Sequence, residues 1–413
     1  MNRFFKDVRT IERMKQGPLA GYLVLYAAQL HAQGYARLSG RRKLQLAADF
    51  GRWLKRNNVR ANQVRAKHVS NYLQFRKRSG FGIQRGDRSA VFGFLELLRE
   101  QRGTKPIAQP LITSSQRWLN EYDVYLQKER SLSVATRISY APFVRQFLVG
   151  QFGRDRVDLS GLRAVDVLKF VRRRAAQLKS RRVLLMTTAL RSFLHFARYR
   201  GEINLDLAAC VPSVASWSLS TIPKALPLAQ VEQVLTETRN RSTAVGRRDY
   251  AILMLLARLG LRGGEVCSLT LEDIDWENSR IAVRGKGDRV AQLPMPADVG
   301  EAIAAYLKDG RPHLPGNRRL FIRARAPLIG FKGQGSVGTV VKHVLERAKI
   351  DSPRKGAHQF RHTLASTMLQ NGSSLSEIGE LLRHRSPDTT AIYAKVDIAS
   401  LRTLALPWPG GAS

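Results

Sequence analysis

The chain has 413 residues, 44% of them apolar, and carries 69 Lys and Arg against 32 Asp and Glu, a formal net charge of +37. That length predicts two or three domains with ordinary cores. A charge this large repels itself in a folded chain, and the partner that relieves it is nucleic acid; a surface made basic for solubility is disfavoured, because solubility favours acidic residues.

The N-terminal stretch "MNRFFKDVRTIERMK" is charged throughout and has no apolar core, so it is not a signal peptide. No apolar run approaches the length of a membrane span. The basic residues are spread along the whole chain rather than massed on one amphipathic segment, which argues against a membrane partner. A soluble, cytoplasmic protein is expected. The two cysteines, Cys210 and Cys267, sit in apolar surroundings and read as buried thiols; two isolated cysteines make neither a disulfide framework nor a four-thiolate zinc site.

An internal repeat organises the first half. "AAQLHAQGYARLSGRRKLQLAADF", ending at Phe50, has the form of "DVYLQKERSLSVATRISYAPFVRQF", ending at Phe147. "VSNYLQFRKR" from Val69 matches "VDVLKFVRRR" from Val165, and "FLELLREQRG" to Gly103 matches "SFLHFARYRG" to Gly201. Four helical segments in the same order, two of them in the first stretch, predict two copies of one helical module, over about 18–104 and 115–203. The expected domains are an additional helical module over 1–108, a second helical module over 112–208, and a C-terminal domain over 222–413. The Ser- and Pro-rich "PSVASWSLSTIPKALP" is the linker to the last.

The C-terminal part reads as mixed α/β and mostly helical, in a chain that is mainly α. "LAQVEQVLTETRN" and "RRDYAILMLLARLG" have helical stripes. "SRIAVRGKGDRVAQLPMP" alternates, turns, and alternates again, which predicts a β-hairpin. Helices follow at "VGTVVKHVLERAK" and "HQFRHTLASTMLQ". Ser374 and Glu377 form a capping box, and Ser386-Pro387-Asp388 opens a last helix that holds Tyr393 about two turns in. The apolar tail "LRTLALPWPGGAS" offers a docking segment for this or a neighbouring protomer.

His358, Arg361 and His362 share one helix face. A zinc hydrolase would need a glutamate where Gln359 stands, and Arg361 would oppose a cation, so no metal is expected. An anion cradle and a plain surface helix remain. Arg262 lies in a turn beside Gly263 and Gly264, where backbone can approach a ligand. Lys286 stands between two glycines at the hairpin tip, His384 stands at a helix end, and Tyr393 alone would read as packing.

Together they are more specific. In chain order the sequence presents G-L-R-x-x-E, a hairpin Lys, H-x-x-R-H, a helix-end His, and a Tyr nine residues later. This set resembles the tyrosine recombinase (phage integrase) family. The resemblance covers 222–396 as the catalytic domain and, more weakly, 115–203 as a SAM-like core-binding domain; the module over 18–104 is additional. It implies that Arg262 and Arg361 clamp the phosphate, Lys286 is the hairpin lysine, His358 and His384 are the active-site histidines, and Tyr393 is the nucleophile. Glu265 matches the residue that buttresses the first arginine, and His362 the basic position after the second. One departure stands out: Leu382-Arg383 precedes His384 where the family usually has Leu-Gly.

The residue types suit that chemistry. Guanidiniums bind non-bridging phosphate oxygens bidentately and stay charged, each such donor contributing about 3–4 kcal/mol to lowering the barrier. A tyrosine hydroxyl, with pKa about 10, attacks only once its proton is drawn off. His358 is the candidate acceptor, and Lys286 can protonate the leaving 5′ oxygen. No metal, cofactor or ATP is expected. The resemblance further implies a C-shaped clamp on double-stranded DNA with inverted-repeat core sites. A homo-tetramer, 3′-phosphotyrosine and Holliday-junction intermediates, accessory proteins, and a nucleoid-associated integrase or transposase role follow from it. A type IB topoisomerase and a non-catalytic DNA-binding relative are the alternatives.

Overall fold

Five helices open the chain: α1 (Val8–Lys15), α2 (Ala20–Ala32), α3 (Arg37–Arg56), α4 (Ala66–Arg78) and α5 (Asp87–Glu100). The computed structural model describes residues 1–15, 19–84, 86–101, 113–153, 156–215, 222–223, 225–285, 289–352, 354–384, 386–396 and 401. Four more helices follow: α6 (Ser114–Lys128), α7 (Val134–Phe152), α8 (Ala164–Ala175) and α9 (Ser180–Tyr199). Thr113 and Ser133 cap α6 and α7 by accepting from the amides of Gln116 and Thr136.

Helices α2–α5 and α6–α9 repeat one design, down to individual contacts. The Tyr26 hydroxyl donates to the Ala90 carbonyl at 2.8 Å, and its ring lies 5.2 Å from Phe94. The Tyr122 hydroxyl donates to the Ala189 carbonyl at 3.4 Å, and its ring lies 5.4 Å from Phe193. Phe50 meets Tyr72 at 5.2 Å, and Phe147 meets Phe170 at 5.2 Å. A buried tyrosine needs a partner for its hydroxyl, and both modules supply one from the last helix.

The register of the repeat differs from the one read off the sequence. Val69 and Val167 are both fully buried, whereas Val165 is exposed. At the start of α4, Arg65 N donates to His68 Nδ1, and at the start of α8, Arg163 N donates to Asp166 Oδ2. So Val69 corresponds to Val167, and Phe94 to Phe193. The basic tails "RKR" and "RRR" drew the sequence match two residues out of step. Solvated charges carry little register; buried side chains carry it.

The chain divides into two compact units, 107–220 on one hand and 1–106 with 221–413 on the other. The first module thus groups with the C-terminal part. Its α2–α3 turn rests on the loop around Leu328: Leu328 N donates to the Gln33 carbonyl at 2.9 Å. Gly34 allows this approach, with φ +73° and a Cβ position that Leu328 already fills.

The C-terminal part holds α10 (Leu228–Arg239), α11 (Ala244–Arg258), α12 (Gly263–Ser268), α13 (Ala297–Asp309), α14 (Gln334–Arg347), α15 (His358–Gln370), α16 (Leu375–Leu381) and α17 (Pro387–Ala391). A three-stranded antiparallel sheet, β1 (Ile274–Asp275), β2 (Arg280–Arg284) and β3 (Val290–Pro294), lies between α12 and α13 in the chain. The predicted hairpin is β2–β3, with Ile281 opposite Leu293 and both buried. Strand β1 and helix α13 have no counterpart among the elements predicted from the sequence. Helix α11 is the centre of the core: every residue from Ala251 to Ala257 is buried. Among the described residues no helix is long and apolar enough to cross a membrane. The linker (in part), Lys286 and the tail from 402 lie outside the described residues.

Past α11 the chain turns at Gly260, with φ +57°. A Cβ there would lie 2.7 Å from Leu382 Cδ2 and 3.0 Å from Leu364 Cδ2. Glycine is favoured on both counts. Gly260→Ala should therefore lower stability by at least about 1–2 kcal/mol from the backbone alone, read as a reduced midpoint in denaturant unfolding; an unchanged midpoint would show that the turn has another conformation open to it.

Candidate active site

The site forms where the Gly260 turn, the start of α15 and the end of α16 meet. Arg361, 3% exposed, reaches from α15 to donate to the Gly260 carbonyl at 2.5 Å and to the Leu382 carbonyl. Burial first, then the neighbouring guanidiniums of Arg262 and Arg383, pull its pKa down to about 9, so it remains charged at neutral pH. Gln359, two residues earlier on α15, is also buried and donates to Ser352 Oγ and the Arg354 carbonyl, which ties down the start of the helix.

Arg262 is the N-cap of α12. Its amide donates to Glu265 Oε2 at 2.8 Å, and its Nη1 donates to Glu265 Oε1 at 2.7 Å. Arg383 Nη2 donates to the same Oε2 at 3.0 Å. Burial raises the Glu265 pKa, but the Arg262 amide and the two guanidiniums outweigh it and hold the carboxylate ionised. Arg262, Glu265, Arg383 and His384 line one cavity with Gly285 and Arg289, the residues that flank the hairpin tip.

His384 follows the end of α16, and its Nδ1 pairs with Thr390 Oγ1 at 2.7 Å. Burial, then Arg361, Arg262 and Arg383, lower its pKa to about 4. Tyr393 is not in an α-helix: α17 stops at Ala391, and the tyrosine sits in the turn before a 3₁₀ segment, Ala394–Val396. Bonds of the i→i+3 type, from Tyr393 N to Thr390 O and from Val396 N to Tyr393 O, tighten this end. The β-branched Thr389, Thr390 and Ile392 disfavour longer helix.

The Tyr393 hydroxyl lies 2.9 Å from His362 Nδ1. Burial, then His358 and Arg361, lower the His362 pKa to about 4, so at neutral pH the ring is uncharged and Nδ1 can accept. Burial raises the Tyr393 pKa, opposed by Arg361 and Arg262. The His358 ring centre is 6.3 Å from that of His362. The sequence pointed to His358 as the tyrosine's proton acceptor; in the structure the adjacent partner is His362, one helical turn on. Arg383, noted in the sequence only as a departure, stands inside the site. Thr390, buried against His384, had no sequence signal beyond its place before the tyrosine.

The chain is also similar to known proteins. The phage integrase family profile matches residues 224–399, and the profile of the phage integrase N-terminal SAM-like domain matches 119–201. The Sinorhizobium fredii protein y4rA, named as an integrase/recombinase, is 47% identical over 420 residues, spanning all of both chains. Tyrosine recombinase XerA of Thermococcus onnurineus is 32% identical over 286 residues, 69% of this chain and 92% of its own. In fold, the chain is similar to the XerH site-specific recombinase bound to palindromic difH substrate, with a TM-score of 0.56 at 20% identity over 81% of this chain and 93% of that one. The chain therefore belongs to the phage integrase family of tyrosine recombinases.

Proposed function

We propose that the chain is a site-specific recombinase whose Tyr393 cleaves DNA by forming a 3′-phosphotyrosine. The observation that carries this reading is the Tyr393 hydroxyl at 2.9 Å from a neutral His362, within the field of Arg361 and Arg262. The phenolic oxygen attacks phosphorus and its proton passes to His362 Nδ1. Arg262 and Arg361 hold the non-bridging oxygens as charge builds on them. The bond to the 5′ oxygen breaks, and Lys286, carried on the tip between Gly285 and Arg289, protonates that oxygen. His384, its Nδ1 already paired with Thr390, turns Nε2–H to the phosphate, and His358 supports the same face. The arginines supply the positive charge that a metal would otherwise bring, and the ester keeps the energy of the broken bond, so religation needs no ATP.

Tyr393 is only 1% exposed, so its turn must shift outward when DNA enters. Two cleavages per duplex, on inverted-repeat core sites, need a homo-tetramer that passes through a Holliday junction. The relatives named as integrases and recombinases support such a role on a mobile element, with nucleoid DNA in the cytoplasm as substrate. The first module, packed on the Leu328 loop, would add contacts to DNA or to a neighbouring protomer. A topoisomerase-like reading would leave a doubled helical module without a task.

On a duplex nicked near the cleavage point, so that the 5′ fragment is lost, the wild type should form a denaturant-resistant protein–DNA band. Tyr393→Phe should abolish the band and keep duplex binding, and Arg361→Ala should reduce it about 100-fold or more. A band that survives in Tyr393→Phe means that another residue is the nucleophile. DNA affinity should fall steeply with salt, with a log–log slope of about −0.9 per phosphate neutralised; a flat response would assign the charge of +37 to some other task.

A pH dependence follows from the two histidines. Their pKa values are about 4 in the fold against 6.5 for a free imidazole. Below 6.5 the unfolded chain binds protons that the folded chain refuses, so stability falls as pH drops from 6.5 towards 4 and is fully present above that window. The thermal midpoint should be lower at pH 5 than at pH 7, and the His362→Gln, His384→Gln double variant should lose most of that difference. An equal difference in the variant would place the titrating groups elsewhere.

A further inference from the structure

Arg383 occupies a backbone conformation that suits glycine. Helix α16 closes with the two reversed bonds of a Schellman end: His384 N donates to the Gly379 carbonyl at 2.9 Å, and Arg383 N donates to the Glu380 carbonyl at 2.9 Å. The residue between, Arg383, must then be left-handed, and its φ is +54°. Every side chain is disfavoured there relative to glycine. A strained position held in this way within a site points to function.

The side chain does not repay the strain by filling a core. Its Nη2 donates to Glu265 Oε2 at 3.0 Å and its Nη1 to the Leu381 carbonyl at 3.3 Å, while its buried Nε has no hydrogen-bond partner. The side chain is 15% exposed and borders the cavity that Arg262 and His384 line. The cluster holds three guanidiniums and one carboxylate: Arg262 and Arg383 bond to Glu265, and Arg361 interacts electrostatically with all three. Without Arg383 the group would carry a net charge of about +1, which matches a phosphodiester at rest. With it the charge is about +2, which matches the dianionic five-coordinate phosphorus of the transition state. Interactions that gain strength only in the transition state are the ones that raise the rate.

We infer that Arg383 is a positioning residue for the phosphate clamp, acting on it through Glu265. By taking Oε2 it neutralises the buttressing carboxylate, so that Arg262 and Arg361 present their full charge to the phosphate. This rests on the recombinase reading above. Sequences with glycine at this position keep the backbone turn and lack the third charge.

The test separates packing, binding and rate. Wild type, Arg383→Gly and Arg383→Lys are compared in thermal unfolding, in affinity for a nicked duplex carrying the DNA that flanks the gene, and in single-turnover adduct formation at saturating duplex. Arg383→Gly should leave the thermal midpoint unchanged or raised and the affinity within about twofold, and should slow adduct formation roughly tenfold or more. Arg383→Lys, which keeps the charge, should recover part of the rate. A fall in midpoint for Arg383→Gly overturns the inference in favour of a structural ion pair. An equal rate, or a loss confined to affinity, also overturns it. If the wild type forms no adduct, the recombinase reading itself fails; the midpoint comparison still decides whether Arg383 is a structural group.

Discussion

The site depends on one buried charge. Arg361 is tied to the carbonyls of Gly260 and Leu382, and these two carbonyls belong to segments more than 100 residues apart in the chain. Burying a guanidinium is costly unless its hydrogen bonds are met. Carbonyl oxygens meet them without cancelling the charge, as a carboxylate would. The same bonds bring the Gly260 turn, which carries Arg262, against the end of α16, which carries Arg383 and His384. Both histidines are kept neutral partly by the charges so gathered. The anion clamp and the uncharged proton acceptor proposed above would then be two results of one electrostatic arrangement.

Glu265 has a complementary task. It caps α12 through the Arg262 amide and holds two guanidiniums at fixed positions. A carboxylate with three donors is rigid, and so are its partners. The charge of the pocket is therefore set by folding and needs little rearrangement when the substrate's charge develops. The wider excess of +37 favours a polyanionic partner, whereas in the proposed mechanism these few buried groups act on a single phosphate.

Much of this was legible in the sequence, and what was not has physical reasons. Short spacings were readable because a helix turn or a capping box fixes them: Ser374 with Glu377, and the face that His358, Arg361 and His362 share; the pairing of Arg262 with Glu265 came from the family resemblance. The hairpin was readable from alternation. The contact of His362 with Tyr393 was not, because it joins residues 31 apart through tertiary packing. The end of α17 before Tyr393 depends on how the turn packs. The repeat was visible but slipped by two residues in α8, since basic tails look alike and only burial identifies Val167. The docking of the first module on the Leu328 loop is an interaction between distant surfaces, for which local pattern carries no signal.

The account is tested most directly by identifying the covalent bond. An adduct trapped on the nicked duplex, digested with protease and nuclease and sequenced by tandem mass spectrometry, should carry a nucleotide 3′-phosphate on Tyr393, in the peptide that follows Arg383 and His384. A nucleotide on any other residue, or one joined through its 5′-phosphate, would contradict the assignment of both the nucleophile and the pocket around it.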